Sequence, residues 1–407
     1  MKPEIFSQPK LIKKLPQEVK ILFKVFGSEI RLVGGCVRDL LLNKKINDFD
    51  FATKFLPTEV IKILAKNKIK AVPTGVKFGT ITAVVNGKNF EITTLRRDNE
   101  TDGRHCKPKF IDDFYFDAAR RDFTINALYL DSAGLVYDYF AGSSDLKSKK
   151  VKFIGNANKR IAEDFLRILR FFRFSNEYAK SLDSKGLAAC TQQKENLKKL
   201  SRERIRAEIL KMLMSDKKTN LIAVLKVLQN KKIAAEIFST KLDIKALESF
   251  FKIEKEFKIS SNLSLQLAIL FAQKNLDLKI FFSEICATNA EKKYFQFIVE
   301  NLTAYKNFDQ KILKQLLTSA PKEVVLDLYL IALVKNFDLQ KISQVKEDIK
   351  FLKNFSLPNF PLQSTDLIKL GFVGKKLGAV LREARKIWAE NNFALDKKKL
   401  LNLLASS

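Results

Sequence analysis

Two rhythms of apolar and polar residues divide this chain. Up to Gly142, short apolar runs are cut by turns containing Gly, Asn and Asp, a pattern that predicts strands interleaved with short helices. Ile30 to Val33 predicts a strand that stops at Gly34-Gly35, and Val37 to Leu42 predicts the helix that follows. A further strand is expected around Asp48 and Asp50, then a helix over Pro57 to Lys66. Asn86-Gly87 between two β-rich runs predicts a hairpin. Ala127–Asp131 and Leu135–Tyr139 predict a second one. Beyond Gly142 the apolar residues return at helical spacing. Ile161, Phe165, Leu169 and Phe172 form one stripe, which predicts a single helix over Ala162–Phe174. Amphipathic helices follow at Leu221–Leu228, Leu263–Ala272, Glu323–Leu333 and Gly374–Ala384. Breaks are expected near Asp216, Asn307, Pro321 and Pro358–Pro361. The expected fold class is α+β: a mixed α/β head over 1–142, then all-α parts over 143–215, 216–310 and 311–407.

The turns and helix starts of the first half carry candidate chemistry. Gly34-Gly35 lets the backbone come close to a ligand, and the N–H groups that open the next helix favour an anion such as a triphosphate. Asp48 and Asp50, two apart on the expected strand, leave one face together. Such a pair repels itself unless a cation lies between, and an oxygen-rich site of this kind suits Mg²⁺. Glu91 faces away from its neighbours Phe90 and Ile92, as either a surface residue or a further acid beside that pair. Arg120, Arg121, Asp122 and Asn126 cluster before an apolar strand. Arginines suit phosphate, and Asp or Asn can hydrogen-bond a sugar hydroxyl. Asp164 and Arg167, three apart on the expected helix, form either a salt bridge or a reader of bases. A carboxylate only accepts and a guanidinium only donates. The pair therefore complements the amino group and ring nitrogen of cytosine or adenine and opposes uracil and guanine. Arg204 and Glu208, at i,i+4, suggest a second salt bridge.

Composition narrows the choice. The 407 residues are 46% hydrophobic and 29% charged, which suits a globular chain of two or more domains. The net charge of +29 points to a polyanionic partner, with a lysine-rich composition contributing. The lone histidine, His105, excludes histidine-metal clusters and Ser-His or Cys-His catalysis. Cys36, Cys106, Cys190 and Cys286 are far apart, so they read as free thiols of a reducing cytoplasm and not as a zinc site. No apolar run is long enough to span a membrane, and the N-terminus shows no secretory pattern.

Taken together, Arg31–Thr53, Ala118–Asp131 and Glu163–Arg167 resemble the signature of class II nucleotidyltransferases of the polymerase β superfamily. These are the CCA-adding enzymes that finish tRNA 3′ ends and their bacterial poly(A) polymerase relatives. The resemblance implies a nucleotidyltransferase head followed by a helical neck, body and tail. It implies that Asp48, Asp50 and Glu91 hold Mg²⁺ and serve catalysis. Gly34, Gly35, Arg38, Arg120, Arg121, Asp122, Asn126, Asp164, Arg167 and Arg170 then bind nucleotide, with Glu163 supporting Arg167. It further implies a flexible loop around Arg97–His105, a pivot at Gly142 and a tail that binds tRNA. The expected activity is template-independent addition of CCA from CTP and ATP by a monomer or weak dimer. Three alternatives are a poly(A) polymerase, an enzyme adding only the A, and a non-catalytic RNA-binding protein. Against the first, Thr74–Thr80 stands where those polymerases carry a Gly-Arg-Arg-Phe-like stretch.

Overall fold

A computed structural model describes residues 2–98, 108–273, 275–305, 308–335 and 342–405. Ten strands occur among them: β1 Glu4–Ser7, β2 Ile30–Val33, β3 Asp50–Thr53, β4 Lys70–Gly75, β5 Thr80–Val85, β6 Lys88–Thr94, β7 Arg96–Asp98, β8 Pro108–Phe110, β9 Leu128–Leu130 and β10 Leu135–Asp138. Eight form one sheet in the order β1-β10-β9-β2-β3-β6-β5-β4, while β7 and β8 form a separate ribbon. Only the β3–β6 pairing within that sheet is parallel. It sets Asp50 directly beside Glu91.

The period-2 alternation decides what each face does. Phe51, Ile81 and Ile92 point to one face, where Leu22 and Phe23 of the helix Gln17–Phe26 and Val60 and Leu64 of the helix Pro57–Lys66 cover them. Ala52, one residue on from Phe51, joins Val33, Leu95, Phe114 and Tyr129 in a smaller core on the other face. Asp50 and Glu91 share that second face. Both predicted hairpins are present. Asn86 and Gly87 close the first with φ values of 50° and 76°, as a tight two-residue turn between twisted strands demands.

The chain divides into two compact units, Met1–Ile237 and Phe238–Ser407. In the first, the helix Arg167–Tyr178 stacks Phe171 on Phe153 at 5.5 Å and sets it beside Phe123. The second unit is helical among its described residues, with Phe250, Phe271, Phe281 and Phe295 fully buried. A separate apolar cluster surrounds Trp388. Helices Lys218–Asn230, Leu263–Phe271, Lys322–Lys335 and Gly374–Glu390 stand where the four amphipathic ones were expected, but every residue from Leu265 to Phe271 is buried, so the second is a core helix and not an amphipathic one. Asn307, His105, Cys106 and the middle of the expected flexible loop lie outside the described residues.

Two expectations need correction. Asp48 is not on a strand: β3 begins at Asp50, and Asp48 belongs to the connection before it. The helix expected over Ala162–Phe174 is broken. One helix ends at Glu163, the next starts at Arg167, and Asp164 between them is extended at φ −156°, ψ 107°. The apolar stripe ran through the break because Ile161 and Leu169 are buried on both sides of it. Gly142, the expected pivot, is closely packed. A Cβ there would stand 2.1 Å from the Thr124 carbonyl oxygen, and Asp138 accepts hydrogen bonds from its N–H and that of Ser143.

Candidate active site

A cleft of about 870 Å³ opens in the first unit, at the end of β2 and the start of β3. Its wall includes Gly34, Gly35, Arg38, Asp48, Asp50, Arg120, Arg121, Asp122, Asn126, Asp164, Arg167 and Arg170. Of the residues that the resemblance assigns to metal or nucleotide, Glu91 alone is missing from that wall. It sits one strand away from Asp50 on the same sheet face, with its side chain exposed.

The glycine turn works through backbone geometry. Gly34 has φ +80°, which a side chain disfavours, and a Cβ on it would come within 3.2 Å of Arg121 Nη1. The short helix Gly35–Leu41 therefore begins under a guanidinium. Its Arg38 is buried and spends its donors inside the protein. Nε and Nη2 donate to the two oxygens of Asp39 at 3.0 and 2.7 Å, and Nη1 donates to Asn126 Oδ1 at 2.6 Å. The Tyr178 ring lies 4.1 Å from the same guanidinium, and its hydroxyl donates to Asp39.

Electrostatics at the acid pair are those of crowded carboxylates. Asp50 is partly open to solvent, yet the cleft walls desolvate its carboxyl and push its pKa up. The charge of Glu91 raises it further, Arg121 opposes that rise, and Asp48 adds to it. Among the described residues no set of three His, Cys, Asp or Glu side chains converges tightly enough to cage a metal. Asp48 and Asp50 both line the cleft and offer oxygen donors only. An all-oxygen donor pair under mutual repulsion fits Mg²⁺, which keeps water and substrate phosphate in its shell.

The two arginines are organised by a residue that the sequence reading missed, Asp117. It is 1% exposed, and it accepts from Arg120 Nε at 2.8 Å, Arg121 Nη2 at 3.1 Å and Tyr129 Oη at 2.7 Å. Burial alone would raise its pKa, but the charges of Arg120 and Arg121 outweigh burial and hold it well below the ordinary carboxylate value. Asp117 lies three and four residues before these arginines on the helix Phe114–Ala119, a helical spacing that could have revealed it. Asp122 and Asn126 bind each other, with Asn126 Nδ2 donating at 3.0 Å. Asp122 also accepts from Arg170 Nε at 2.7 Å, and Arg170 pulls its pKa down against the effect of burial.

At the helix break, Asp164 and Arg167 do not pair with each other's side chains. Both Asp164 oxygens accept from Arg204 Nη2, at 3.0 and 2.8 Å. Arg167 Nη1 donates to Glu163 at 2.6 Å and to the Arg160 carbonyl at 2.8 Å, and Nη2 donates to the Arg120 carbonyl at 3.0 Å. The support from Glu163 was expected, but the Arg204–Glu208 pair was not found: Glu208 accepts from Arg173 at 2.6 Å instead. Arg167 is thus tied to the backbone at Arg160 and Arg120.

Comparison with known proteins places the chain in a family. Residues 30–152 match the poly A polymerase head domain, and residues 181–238 match the family described as a probable RNA and SrmB-binding site of polymerase A. The mitochondrial CCA tRNA nucleotidyltransferase 1 of Mus musculus is 36% identical over 402 residues, covering 94% of this chain and 88% of the relative. The human protein of the same name is 34% identical over 405 residues, with coverage of 94% and 88%. The CCA-adding enzyme of Oceanobacillus iheyensis is 42% identical over 188 residues, 46% of each chain. In fold, the chain resembles the Bacillus stearothermophilus CCA-adding enzyme in complex with CTP, with a TM-score of 0.75, 24% identity and 96% of each chain covered. It also resembles the Thermotoga maritima CCA-adding enzyme complexed with tRNA, with a TM-score of 0.69, 21% identity and 100% of each chain covered. Likeness to the full-length relatives thus extends past the head into the helical remainder, and the chain belongs to the CCA tRNA nucleotidyltransferase family.

Proposed function

We propose that this chain adds C, C and A to the 3′ end of tRNA from CTP and ATP without a nucleic-acid template. The observation that carries the reading is a single cleft whose wall includes both the acid pair and the Asp164/Arg167 couple. Metal dependence is a property of the family. Here Asp48 and Asp50 are the residues to hold Mg²⁺, with Glu91 adding negative charge one strand away. When bound, the ion supplies charge neutralisation for the attacking 3′-oxygen and the leaving pyrophosphate.

The protein's own groups do the rest. Each guanidinium carries five N–H donors, so Arg120 and Arg121 keep donors for a triphosphate beyond those given to Asp117. Asp117 fixes their planes before substrate arrives, which is the preorganisation that charge stabilisation requires. Asp122 and Asn126 hold Arg170 and Arg38 in place and line the cleft, where their side chains suit a sugar hydroxyl. Asp164 and Arg167 read the base edge, accepting from an exocyclic amino group and donating to a ring nitrogen. The buried thiols of Cys36 and Cys190 form no disulfide among the described residues, which suits a reducing compartment and supports a cytoplasmic site of action. No described helix is long and apolar enough to cross a membrane.

The test is incubation of purified protein and Mg²⁺ with tRNA lacking its last three nucleotides. CTP alone should add two residues, and CTP with ATP should add three. Asp48→Ala and Asp50→Ala should each abolish incorporation while thermal unfolding of the protein stays close to wild type. Repeated A addition would instead indicate a poly(A) polymerase. Activity only on tRNA ending in CC would indicate an A-adding enzyme, and no extension at all would overturn the reading.

A further inference from the structure

The cleft wall is mostly polar, and it includes two phenylalanines, Phe78 and Phe174. Phe174 is occupied: it is buried, stacked on Tyr178 at 6.0 Å, and has the Arg173 guanidinium 4.2 Å from its ring centroid. Phe78 is the opposite case. It is 53% exposed. Single exposed apolar side chains are common on protein surfaces, but this ring stands on the cleft wall, where the apolar face of a ligand can cover it.

The backbone that presents Phe78 is held on several sides. Phe78 ends the one-turn helix Val76–Phe78 between β4 and β5, and Gly79 closes it at φ +84°. Gly79 N–H donates to the Val76 carbonyl, and Thr94 N–H donates to the Gly79 carbonyl, both at 2.9 Å. Arg96 donates to the Phe78 carbonyl, and a Cβ on Gly79 would stand 2.7 Å from the Phe110 ring. A turn tethered this way does not let its side chain fold back onto the core.

Register fixes what lies within reach. Thr80, two residues after Phe78, pairs with Thr93 on β6, and Glu91, two residues before Thr93, pairs with Asp50. With strands about 4.8 Å apart and about 3.3 Å per residue along them, the turn stands roughly 12–17 Å from Asp50. That is too far for the reacting atoms and within the span of the last one or two nucleotides of an RNA whose 3′-oxygen lies at Asp50. The incoming base is accounted for by Asp164 and Arg167, which belong to the helices after Gly142 and not to this turn.

We infer that the Phe78 ring is a stacking platform for a base of the single-stranded 3′ end of the RNA primer. The inference rests on the reading of the chain as a tRNA-extending enzyme. Every base has an apolar face, so one ring accepts the successive ends that differ as the primer grows. Phe78 then holds the primer in register without choosing its sequence, while base choice stays with Asp164 and Arg167.

The test compares Phe78→Leu, Phe78→Tyr and Phe78→Trp with wild type in CTP incorporation. Phe78→Leu keeps an apolar side chain without a ring. It should raise KM for tRNA by about 10- to 100-fold, the loss expected for one base–aromatic stack, and leave KM for CTP and the melting temperature unchanged. Tyr and Trp should restore wild-type KM. In Phe78→Trp, the tryptophan fluorescence added to that of Trp388 should be quenched by a short single-stranded RNA. A Phe78→Leu enzyme with unchanged KM for tRNA, or one that loses affinity for CTP instead, overturns the inference. If wild type fails to extend tRNA, the proposed function fails. The fluorescence titration still decides stacking on its own, because it needs no turnover.

Discussion

Replacing Asp117 with Asn should separate the nucleotide pocket's organisation from its chemistry. The change keeps the size of the side chain but removes its charge at a position 1% exposed. Asp117 accepts from Arg120, Arg121 and Tyr129, and an amide can accept with only one of its two heads. At least one guanidinium then faces an N–H₂ group, and two cations lose the charge that balanced them. Breaking a buried ion pair on one side costs about 3–5 kcal/mol. Arg120 and Arg121 are about one-fifth exposed, so water recovers part of this, and about 2–4 kcal/mol is expected. The pH dependence has a definite sign. The folded pKa of Asp117 lies well below its unfolded value, so its contribution is present above the unfolded pKa and is lost as pH falls through the folded one. The deficit of Asp117→Asn, measured by urea unfolding, should therefore be constant from pH 5 to 8 and narrow only below about pH 4. KM for both CTP and ATP should rise together, because Arg120 and Arg121 act on the triphosphate and not on the base. A stability loss under 1 kcal/mol, or a change in KM for one nucleotide alone, would refute the assignment of Asp117 as their anchor.

Three further outcomes follow from particular contacts. Arg204→Ala removes the donor that holds both oxygens of Asp164 and should raise UTP incorporation relative to CTP by about 10-fold or more, with fidelity assays equal to wild type counting against it. Gly142→Ala places a methyl 2.1 Å from the Thr124 carbonyl oxygen and should cost about 1–3 kcal/mol, and an unchanged melting temperature would mean that this segment moves freely. Asp327 is pushed up to about 6 by burial, against hydrogen bonds from Tyr294 and Asn262. Between about pH 4 and 6 the folded form holds a proton that the unfolded form has released, so stability falls as pH rises through that window. Asp327→Asn should gain on wild type by about 2–3 kcal/mol between pH 4 and pH 7.5, whereas a pH-independent difference in urea unfolding would exclude this titration.

The sequence by itself determined the elements whose signals are local. Ile30–Val33 and the helix Pro57–Lys66 formed where expected, because an apolar run and its flanking turn or capping residues fix them without outside help. Asn86-Gly87 likewise set its hairpin, since few other pairs adopt those dihedrals. The acids, arginines and glycines of the cleft were legible as residue types at characteristic spacings, and all but Glu91 met in one wall.

Tertiary structure decided who partners whom. Periodicity carried a helix straight through Asp164, because hydrophobic spacing reports burial and not the backbone turn at a single polar residue. Arg204 and Glu208 have the spacing of a salt bridge, yet Arg204 pairs with Asp164 at the helix break and Glu208 with Arg173 on the helix after it, 40 and 35 residues away in sequence. Asp117 reads as one more acid in a polar stretch, and only its burial under Arg120, Arg121 and Tyr129 makes it the anchor of the pocket. Charge pairing depends on distances between side chains from separate elements, and those distances exist only once the sheet and the helices beyond it have packed.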